Sequence, residues 1–444
     1  MTAPKETTFN QLMDALLPQL AESEAIKVSL VAEKSQFTRF NRAKVRQTGN
    51  IEKGSLTMTL MGQGRSTTAS IDFTGQKEND WPRLLATLTT LREELPQLPE
   101  DPYLVIPTGN AQSREDYPGA LLEIDAIALT LLAPMTGLDA VGLYAGGNSI
   151  RAYADSAGQR HWFETATFTV DYSLFTESGQ AVKGTYAGRQ WDDAAYGDNL
   201  TAAKTLLQQM SQAPKKLERG QYRTYFAPAA VADLMSMLSW GGIGEAAIRR
   251  GGSALGPLQR GDKTLSTRVN LVEDFSQGQV PRFNQFGELA PLTMPLIAAG
   301  QLENTLVSAR TAKEYDIAST FAESGESLRS PVLATGNLAA ADILAALDTG
   351  LYVSNLHYLN WSDRPNGRIT GMTRYACFWV EAGKIVAPIE NLRFDESLYN
   401  FWGANLVDLT QTAQFIPEVG SYSYRDLGGT LAPGMLVNNF AYTL

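Results

Sequence analysis

Polar and apolar residues alternate along several separate stretches of this chain, and this feature most limits its possible folds. Strict alternation is typical of a half-buried β-strand, because successive side chains point to opposite faces of a sheet. It occurs at residues 26–32, 56–60, 69–73 and 168–174. Stretches with helical spacing occur at residues 9–22, 81–95, 118–132 and 200–210. Strands and helices do not alternate as βαβ units, so the sequence predicts an α+β fold with an antiparallel sheet.

A polar segment at residues 215–220 marks the predicted domain boundary. Beyond it the chain is rich in glycine and proline, with short apolar runs typical of strands separated by turns. The few helices predicted there lie at about residues 228–250, 310–316 and 338–347. We therefore predict an N-terminal α+β domain at residues 1–218 and a β-rich C-terminal domain at residues 219–444.

The composition excludes several classes of site. The chain of 444 residues has 47 acidic and 37 basic side chains, and its net charge of -10 argues against a nucleic-acid-binding protein. The single cysteine, Cys377, excludes a disulfide framework and an iron–sulfur cluster within one chain. Two histidines, His161 and His357, are too few for a three-histidine zinc site.

The most apolar stretch, residues 120–135, is too short for a membrane span and contains Glu123 and Asp125. The N-terminal residues lack the basic and apolar regions of a signal peptide. We therefore expect a cytoplasmic protein.

Single motifs do not define a catalytic site. Residues 242–247 match G-x-G-x-x-A, but a dinucleotide site needs a strand before the glycines, and here a helix is predicted. Cys377 lies in an apolar strand, where burial raises a thiol pKa and makes a poor nucleophile. His161 and His357 lie among aromatic residues and are more simply explained as hydrogen-bonded structural residues.

Residues 361–374 combine turn residues with Arg364, Arg368 and Arg374. Guanidinium donors beside aromatic rings are suited to holding a peptide or its carboxylate. A polar hairpin without a ligand explains the same composition slightly better.

Several segments together resemble the TldD/PmbA family, also called TldD/TldE. Residues 38–47 resemble its strand R-F-x-N-x-x-x-x-Q, and residues 283–289 resemble its turn F-D-x-x-G. Residues 296–312 resemble its hairpin I-x-x-G-x-L … T-A. Residues 350–354 and 378–385 give the strongest match, to G-x-F-W-V-E-N-G-E-I. The motifs span most of the chain in the family's order, which makes the set more specific than any one of them.

The resemblance implies an N-terminal α+β domain, a β-rich C-terminal domain and two kinds of subunit. TldD subunits bind zinc through H-E-x-x-x-H on a helix and a cysteine near the C-terminus, and act as metallopeptidases. TldE (PmbA) subunits lack these residues and pair with TldD. The complex degrades unfolded peptides and processes some peptide natural products.

In this chain the H-E-x-x-x-H slot falls on residues 236–241. Ser236 and Gly241 stand where the family's histidines would be, and Met237 stands in the place of the glutamate. The stretch that matches the C-terminal cysteine region, residues 423–428, contains no cysteine. A zinc hydrolase needs a metal with an open position and a base for its water. This chain is therefore not expected to supply either.

The leading hypothesis is a TldE-like subunit of a cytoplasmic zinc-peptidase complex, with no catalytic residue, metal or cofactor of its own. Zinc is expected on a TldD-like partner, in a heterodimer, while a self-dimer stays open. The subunit would hold an extended peptide by strand addition. The predicted substrate-binding residues lie in or beside the best-matched segment: His357, Tyr358, Trp361, Arg364, Arg368 and Arg374.

Two alternatives remain from the sequence. A peptidase or amidase with a different catalytic set would use His357 or Asp363. A scaffold protein would stabilise a partner without contacting substrate. The family's older description as a gyrase modulator would imply contact with DNA or gyrase. The net negative charge of the chain does not support such contact.

Overall fold

A computed structural model describes residues 3–443, which form two β-sheets with helices packed against them. The strands of the N-terminal sheet are β1 (Ala25–Asn41), β2 (Lys44–Gly62), β3 (Arg65–Asp72), β4 (Gln112–Tyr117), β5 (Asp139–Asp155), β6 (Arg160–Phe175) and β7 (Ala181–Gly188). Those of the C-terminal sheet are β8 (Gly220–Phe226), β9 (Leu271–Asp274), β10 (Thr293–Ala298), β11 (Gln301–Leu302), β12 (Pro331–Leu333), β13 (Gly350–Asp363), β14 (Arg368–Glu381), β15 (Lys384–Pro388), β16 (Arg393–Ser397), β17 (Leu406–Pro417) and β18 (Gly429–Tyr442).

The helices are α1 (Ala3–Leu16), α2 (Lys77–Glu94), α3 (Ile127–Leu132), α4 (Asp193–Met210), α5 (Pro228–Ser236), α6 (Glu245–Arg249), α7 (Gly256–Gln259), α8 (Ala309–Tyr315) and α9 (Ile343–Leu347). Within residues 3–443, no helix is both long and apolar enough to cross a lipid bilayer.

The N-terminal sheet has the strand order β3-β2-β1-β5-β6-β4, with β7 also paired to β6. Its β1–β2 hairpin runs from Ala25 opposite Met61 to Asn41 opposite Lys44. Arg42 and Ala43 take positive φ angles of 52° and 51° at the turn. Turn residues with positive φ match the right-handed twist of the strands, which is how so long a hairpin closes in two residues.

The two faces of this sheet have different partners. Apolar residues of β1, such as Val28 and Leu30, pack with Ile150 and Ala152 of β5 against α1 and α2. Residues of the opposite face of β5, including Ser149 and Arg151, point toward the C-terminal part of the chain. The second face is therefore buried under another part of the protein although it is polar.

The C-terminal sheet has the order β11-β10-β9-β12-β18-β16-β14-β13-β8, with β15 paired to β14 and β17 to β18. β8 pairs in parallel with β13 and antiparallel with β18. Helix α5 follows β8 directly, and its apolar residues join the core of this sheet. The predicted α+β fold is thus confirmed.

Several predicted helices differ in extent. The expected helix 9–22 ends at Leu16, before a 3-10 turn that contains Pro18, and the expected helix 200–210 begins earlier, at Asp193. The expected helix 118–132 is regular only from a 3-10 turn at Ile124–Ala126 through α3. The expected helix 228–250 is interrupted after α5 by a 3-10 turn and by Gly241, whose φ is 73°. A left-handed residue cannot continue an α-helix, and glycine takes this conformation at little cost.

Candidate functional site

The segment that the resemblance places in the zinc slot begins at the last residue of α5. Pro228 opens the helix, where its missing N–H costs nothing, and the N–H of Ala227 donates to the Val353 carbonyl of β13 at 2.9 Å. The helix ends at Ser236 and a 3-10 turn follows at Met237–Ser239. The slot residues therefore span the end of a helix and the turn after it.

The side chains in this slot do not fit zinc. The Ser236 hydroxyl donates to the Asp233 carbonyl at 2.7 Å, Met237 is 3% exposed in the apolar core, and Gly241 has no side chain. Among residues 3–443, no group of three His, Cys, Asp or Glu side chains lies close enough to hold a metal ion. Because zinc sites in proteins use imidazole, thiolate or carboxylate ligands, the donor set of this segment cannot make one.

The two histidines lie outside the slot and contact other residues. His161 is 2% exposed, and its ring nitrogens pair with the Ser113 hydroxyl at 2.8 Å and the Gly287 carbonyl at 2.9 Å. Burial lowers the pKa of His161 and favours its neutral form. His357 is exposed on β13, with its ring centroid 4.0 Å from that of Tyr358. The structure thus explains His161 as a hydrogen-bonded structural residue.

Two of the predicted substrate-binding residues contact residues 240–252, which comprise the end of the slot and the segment after it. Trp361 Nε1 donates to the Trp240 carbonyl at 2.8 Å, and Arg364 Nε donates to the Gly252 carbonyl at 2.6 Å. A Cβ on Gly241 would lie 2.6 Å from Arg364 Nη1, so the guanidinium occupies the space beside this glycine. The tip of the β13–β14 hairpin is therefore fastened to the slot segment.

The other predicted residues are spread along the hairpin. Arg368 Nη2 lies 2.6 Å from Asp395 Oδ1, which accounts for its charge. Arg374 is exposed and packs on the ring of Tyr375, 5.1 Å from its centroid. Tyr358 is 75% exposed. Of this set, only Trp361 and Arg364 are joined to residues 240–252 by hydrogen bonds within the described chain, and peptide binding by the set stays a prediction.

Asp363 and His357, the residues of the alternative catalytic set, have separate contacts. Asp363 Oδ2 accepts from Asn366 Nδ2 at 2.8 Å, within the turn of the hairpin. The ring of His357 lies against that of Tyr358 at an interplanar angle of 43°. A general base must reach the proton that it removes, and neither side chain is placed beside a nucleophile by these contacts.

Asp233 is a residue of α5 that the sequence analysis did not single out. Its Oδ2 accepts the N–H of Leu356, in β13, at 3.0 Å. Burial raises the pKa of this carboxyl to about 7. The helix that ends in the slot therefore has a carboxyl that changes charge near neutral pH.

A cavity of about 320 Å³ lies beside the slot. Its lining includes Ser236 and Ser239 from the slot segment and Arg151 from β5 of the N-terminal sheet. Arg329 and Glu418 complete its charged lining together with Glu323. The sequence analysis missed this set, although the alternation of Ser149, Arg151, Tyr153 and Asp155 with small apolar residues indicated a polar face on β5.

The loop between β17 and β18 closes the same region by inserting Arg425 into the N-terminal sheet. The side chain is 4% exposed. Its Nε donates to the Ser35 hydroxyl at 2.8 Å, and Nη2 donates to the Gly147 carbonyl at 2.8 Å. Arg425 lies in the stretch matched to the family's C-terminal cysteine region, so an arginine network occupies this part of the chain.

Comparison with known proteins identifies relatives of this architecture. A protein-family model described as the PmbA/TldA metallopeptidase C-terminal domain matches residues 219–443. A search of curated protein sequences finds no match.

Three crystal structures share the fold over nearly the whole chain. A proposed modulator of DNA gyrase from Bacteroides thetaiotaomicron has 15% identity and a TM-score of 0.78, covering 99% of this chain and 98% of its own. TldE from Thermococcus kodakarensis has 13% identity and a TM-score of 0.76, with coverages of 98% and 100%. A proposed modulator of a DNA gyrase from Thermotoga maritima has 14% identity and a TM-score of 0.74, with coverages of 99% and 100%.

Proposed function

The chain belongs to the PmbA/TldD metallopeptidase family, and on that premise we propose that it is a TldE-type, non-catalytic subunit of a peptide-processing complex in the cytoplasm. Its partner would be a TldD-type subunit, which would hold the zinc ion and the water-activating base. The chain itself would contribute to the cleft in which an extended peptide lies.

The observation that most supports this proposal is which residues occupy the slot and where its backbone leaves the helix. Ser236, Met237 and Gly241 offer no zinc ligand and no general base. The left-handed Gly241 also takes the last slot position off the axis of α5. A catalytic zinc needs protein ligands that converge on one point and a base beside its water. Neither requirement is met by these residues.

The hairpin suggests how such a subunit contributes without catalysis. Trp361 and Arg364 tie the β13–β14 hairpin to the segment 240–252, so a peptide lying along the hairpin would also meet the slot segment. The exposed rings of His357 and Tyr358 lie on the same strand. Strand edges and exposed aromatic rings are common means of holding an extended peptide.

The test uses the purified full-length chain, a TldD-type subunit and an unstructured peptide. We expect the chain alone to contain far less than one zinc per molecule by elemental mass spectrometry, and to leave the peptide intact. We expect the mixture to cleave it faster than the TldD-type subunit alone, with loss of cleavage in a chelator.

Two results would overturn the proposal. Cleavage by the chain alone that survives a chelator would favour a peptidase with a different catalytic set. Zinc near one per chain would reveal a ligand set outside the slot. If the mixture cleaves faster but substitutions along the hairpin have no effect, the chain acts as a scaffold that only stabilises its partner.

A further inference from the structure

The cavity beside the slot is enclosed by parts of the chain that are distant in sequence. Arg151 comes from the N-terminal sheet, Ser236 from α5, and Glu418 from the loop between β17 and β18. Its volume, about 320 Å³, is at the lower end of the range for small-molecule sites. Ser236 and Glu418 are exposed, so the cavity opens to solvent on their side.

Arg151 is the cation of this cavity that remains open to a ligand. Nη1 donates to the Ile150 carbonyl at 2.9 Å, which is the one hydrogen bond that the side chain makes within residues 3–443. In that part of the chain, no carboxylate oxygen lies within 4.0 Å of its guanidinium nitrogens. Burial lowers the pKa of Arg151, and the more distant charges of Glu33 and Asp426 oppose this shift.

The two neighbouring arginines already have several hydrogen-bond acceptors within the chain. Arg425, on the same sheet face, donates to Ser35, Thr167 and Gly147. Arg329 donates to the carbonyls of Phe283 and Phe321 at 3.3 and 3.4 Å, and stacks on Phe275 at 4.8 Å. Arg151 differs from both because its guanidinium makes a single hydrogen bond within residues 3–443.

The carboxylates of the cavity leave room for an anion. Glu323 accepts the N–H of Gln285 at 3.2 Å and is attracted by Arg329 and Lys27. Glu418 stands at the exposed edge, where its oxygens can accept N–H groups of a bound chain. A ligand with a carboxylate at its inner end and amide N–H groups toward solvent therefore matches the polarity of the cavity.

The remaining lining is apolar. Met235, Val280, Pro281, Leu328 and Leu427 supply hydrocarbon surface around the polar groups. Such a surface favours burial of an aliphatic side chain. One apolar residue with a free carboxylate fits both the charge and the size of the space.

We propose that this cavity binds the C-terminal residue of a peptide, with the guanidinium of Arg151 holding the terminal carboxylate and the apolar lining holding the side chain. An arginine fork matches a carboxylate in two parallel hydrogen bonds, which gives direction as well as strength. The rest of the peptide leaves past Ser236 and Glu418. The peptide's role in processing rests on the proposed function, whereas the binding itself is a property of this chain alone.

The test is calorimetric titration of the purified chain with N-acetyl-L-leucine and with its amide, which lacks the charge. We expect the acid to bind and the amide to bind more weakly by a factor of about ten or more. The loss of one charge-assisted hydrogen bond accounts for such a factor. Arg151→Gln should abolish the preference for the acid, and Arg151→Lys should restore part of it. Arg83→Gln, at an exposed arginine of α2 outside the cavity, is the matched control and should leave the preference intact.

Three results would overturn the proposal: equal binding of acid and amide, an unchanged preference in Arg151→Gln, or no binding of the acid by the unaltered chain. Inorganic phosphate that binds as tightly as the acid would show a general anion site instead. Thermal melting of each variant shows that the fold is retained. These readouts need no TldD-type subunit and no hydrolysis, so their failure is distinguishable from failure of the proposed function.

Discussion

Arg425 and Glu33 meet across the boundary between the two sheets. The backbone N–H of Arg425 donates to Glu33 Oε2 at 3.1 Å, and Arg425 Nε lies 3.9 Å from the same oxygen. Glu33 is 1% exposed, and its other oxygen lies 3.4 Å from Lys53 Nζ. Burial lowers the pKa of Arg425 to about 10, so the guanidinium remains charged at neutral pH. A buried charge network thus joins the β17–β18 loop to β1.

We predict that Arg425→Ala strongly destabilises the contact between the sheets. It removes the donors to Ser35, Thr167 and Gly147 and leaves Lys53 as the one cation within 4.0 Å of the buried Glu33 in residues 3–443. Breaking a buried ion pair by removing one partner costs about 3 kcal/mol or more. The variant should melt at a lower temperature and be cleaved faster by protease within residues 417–429. Arg374→Ala is the exposed control, and equal melting of the two variants would contradict this account.

The carboxyl of Asp233 should make stability depend on pH. Its pKa is about 7 in the folded chain against a reference value of 3.8, so the folded state keeps a proton that the unfolded chain loses. Stability from this group is therefore complete below pH 4, falls as the pH rises toward 7 and stays constant above.

Asp233→Asn should remove that loss while keeping an acceptor for the Leu356 N–H. We expect the free energy of unfolding to rise at pH 8, by on the order of 4 kcal/mol at most, which appears as a higher melting temperature, and to change little at pH 4. Melting curves of both proteins across this range provide the measurement. A difference that does not vary with pH would rule out ionisation as the cause.

Cys377 should be unreactive in the folded protein. It is 2% exposed in β14, and burial raises the pKa of its thiol to about 11. The thiolate is the reactive form, and access is blocked as well. A disulfide reagent at pH 8 should therefore label no thiol in the native chain and one after denaturation, since Cys377 is the only cysteine. Rapid labelling of the native chain would show that this strand opens.

Arg364→Ala and Arg368→Ala should weaken peptide processing by the complex, the first more than the second. Loss of the Arg364 bond to the Gly252 carbonyl frees the segment after the slot, whereas Arg368 is paired with Asp395 away from it. Losing one such charge-assisted hydrogen bond costs about 2 kcal/mol. Cleavage rates of the reconstituted complex test this, with hydrogen exchange of residues 240–252 as the local readout.

Arg83→Ala, a substitution at an exposed arginine of α2 and outside the predicted peptide-binding set, serves as the control for these rates. Processing that is unchanged in Arg364→Ala, with faster exchange of residues 240–252, would mean that the hairpin has a structural role alone.

Much of the secondary structure could be predicted because it depends on local patterns. Alternation in β1 and helical spacing in α2 depend on residues a few positions apart, and both elements lie where they were expected. The helix predicted at 228–250 was too long, because apolar spacing continued through a segment that bends at Gly241. That bend is linked to Arg364, which occupies the adjacent space and comes from a hairpin more than a hundred residues away.

The α+β character of the chain and the residue types in the slot could be read from the amino-acid sequence, because alternation and residue identity need no tertiary contacts. No histidine lies between His161 and His357, so no folding of the slot segment could supply an imidazole from within it. Tertiary contacts account for the hydrogen bonds of Arg425, for the position of Arg151 at a cavity and for the desolvation that raises the pKa of Asp233. These properties depend on contacts between residues up to 392 positions apart, such as Arg425 with Glu33, and local patterns contain no information about them.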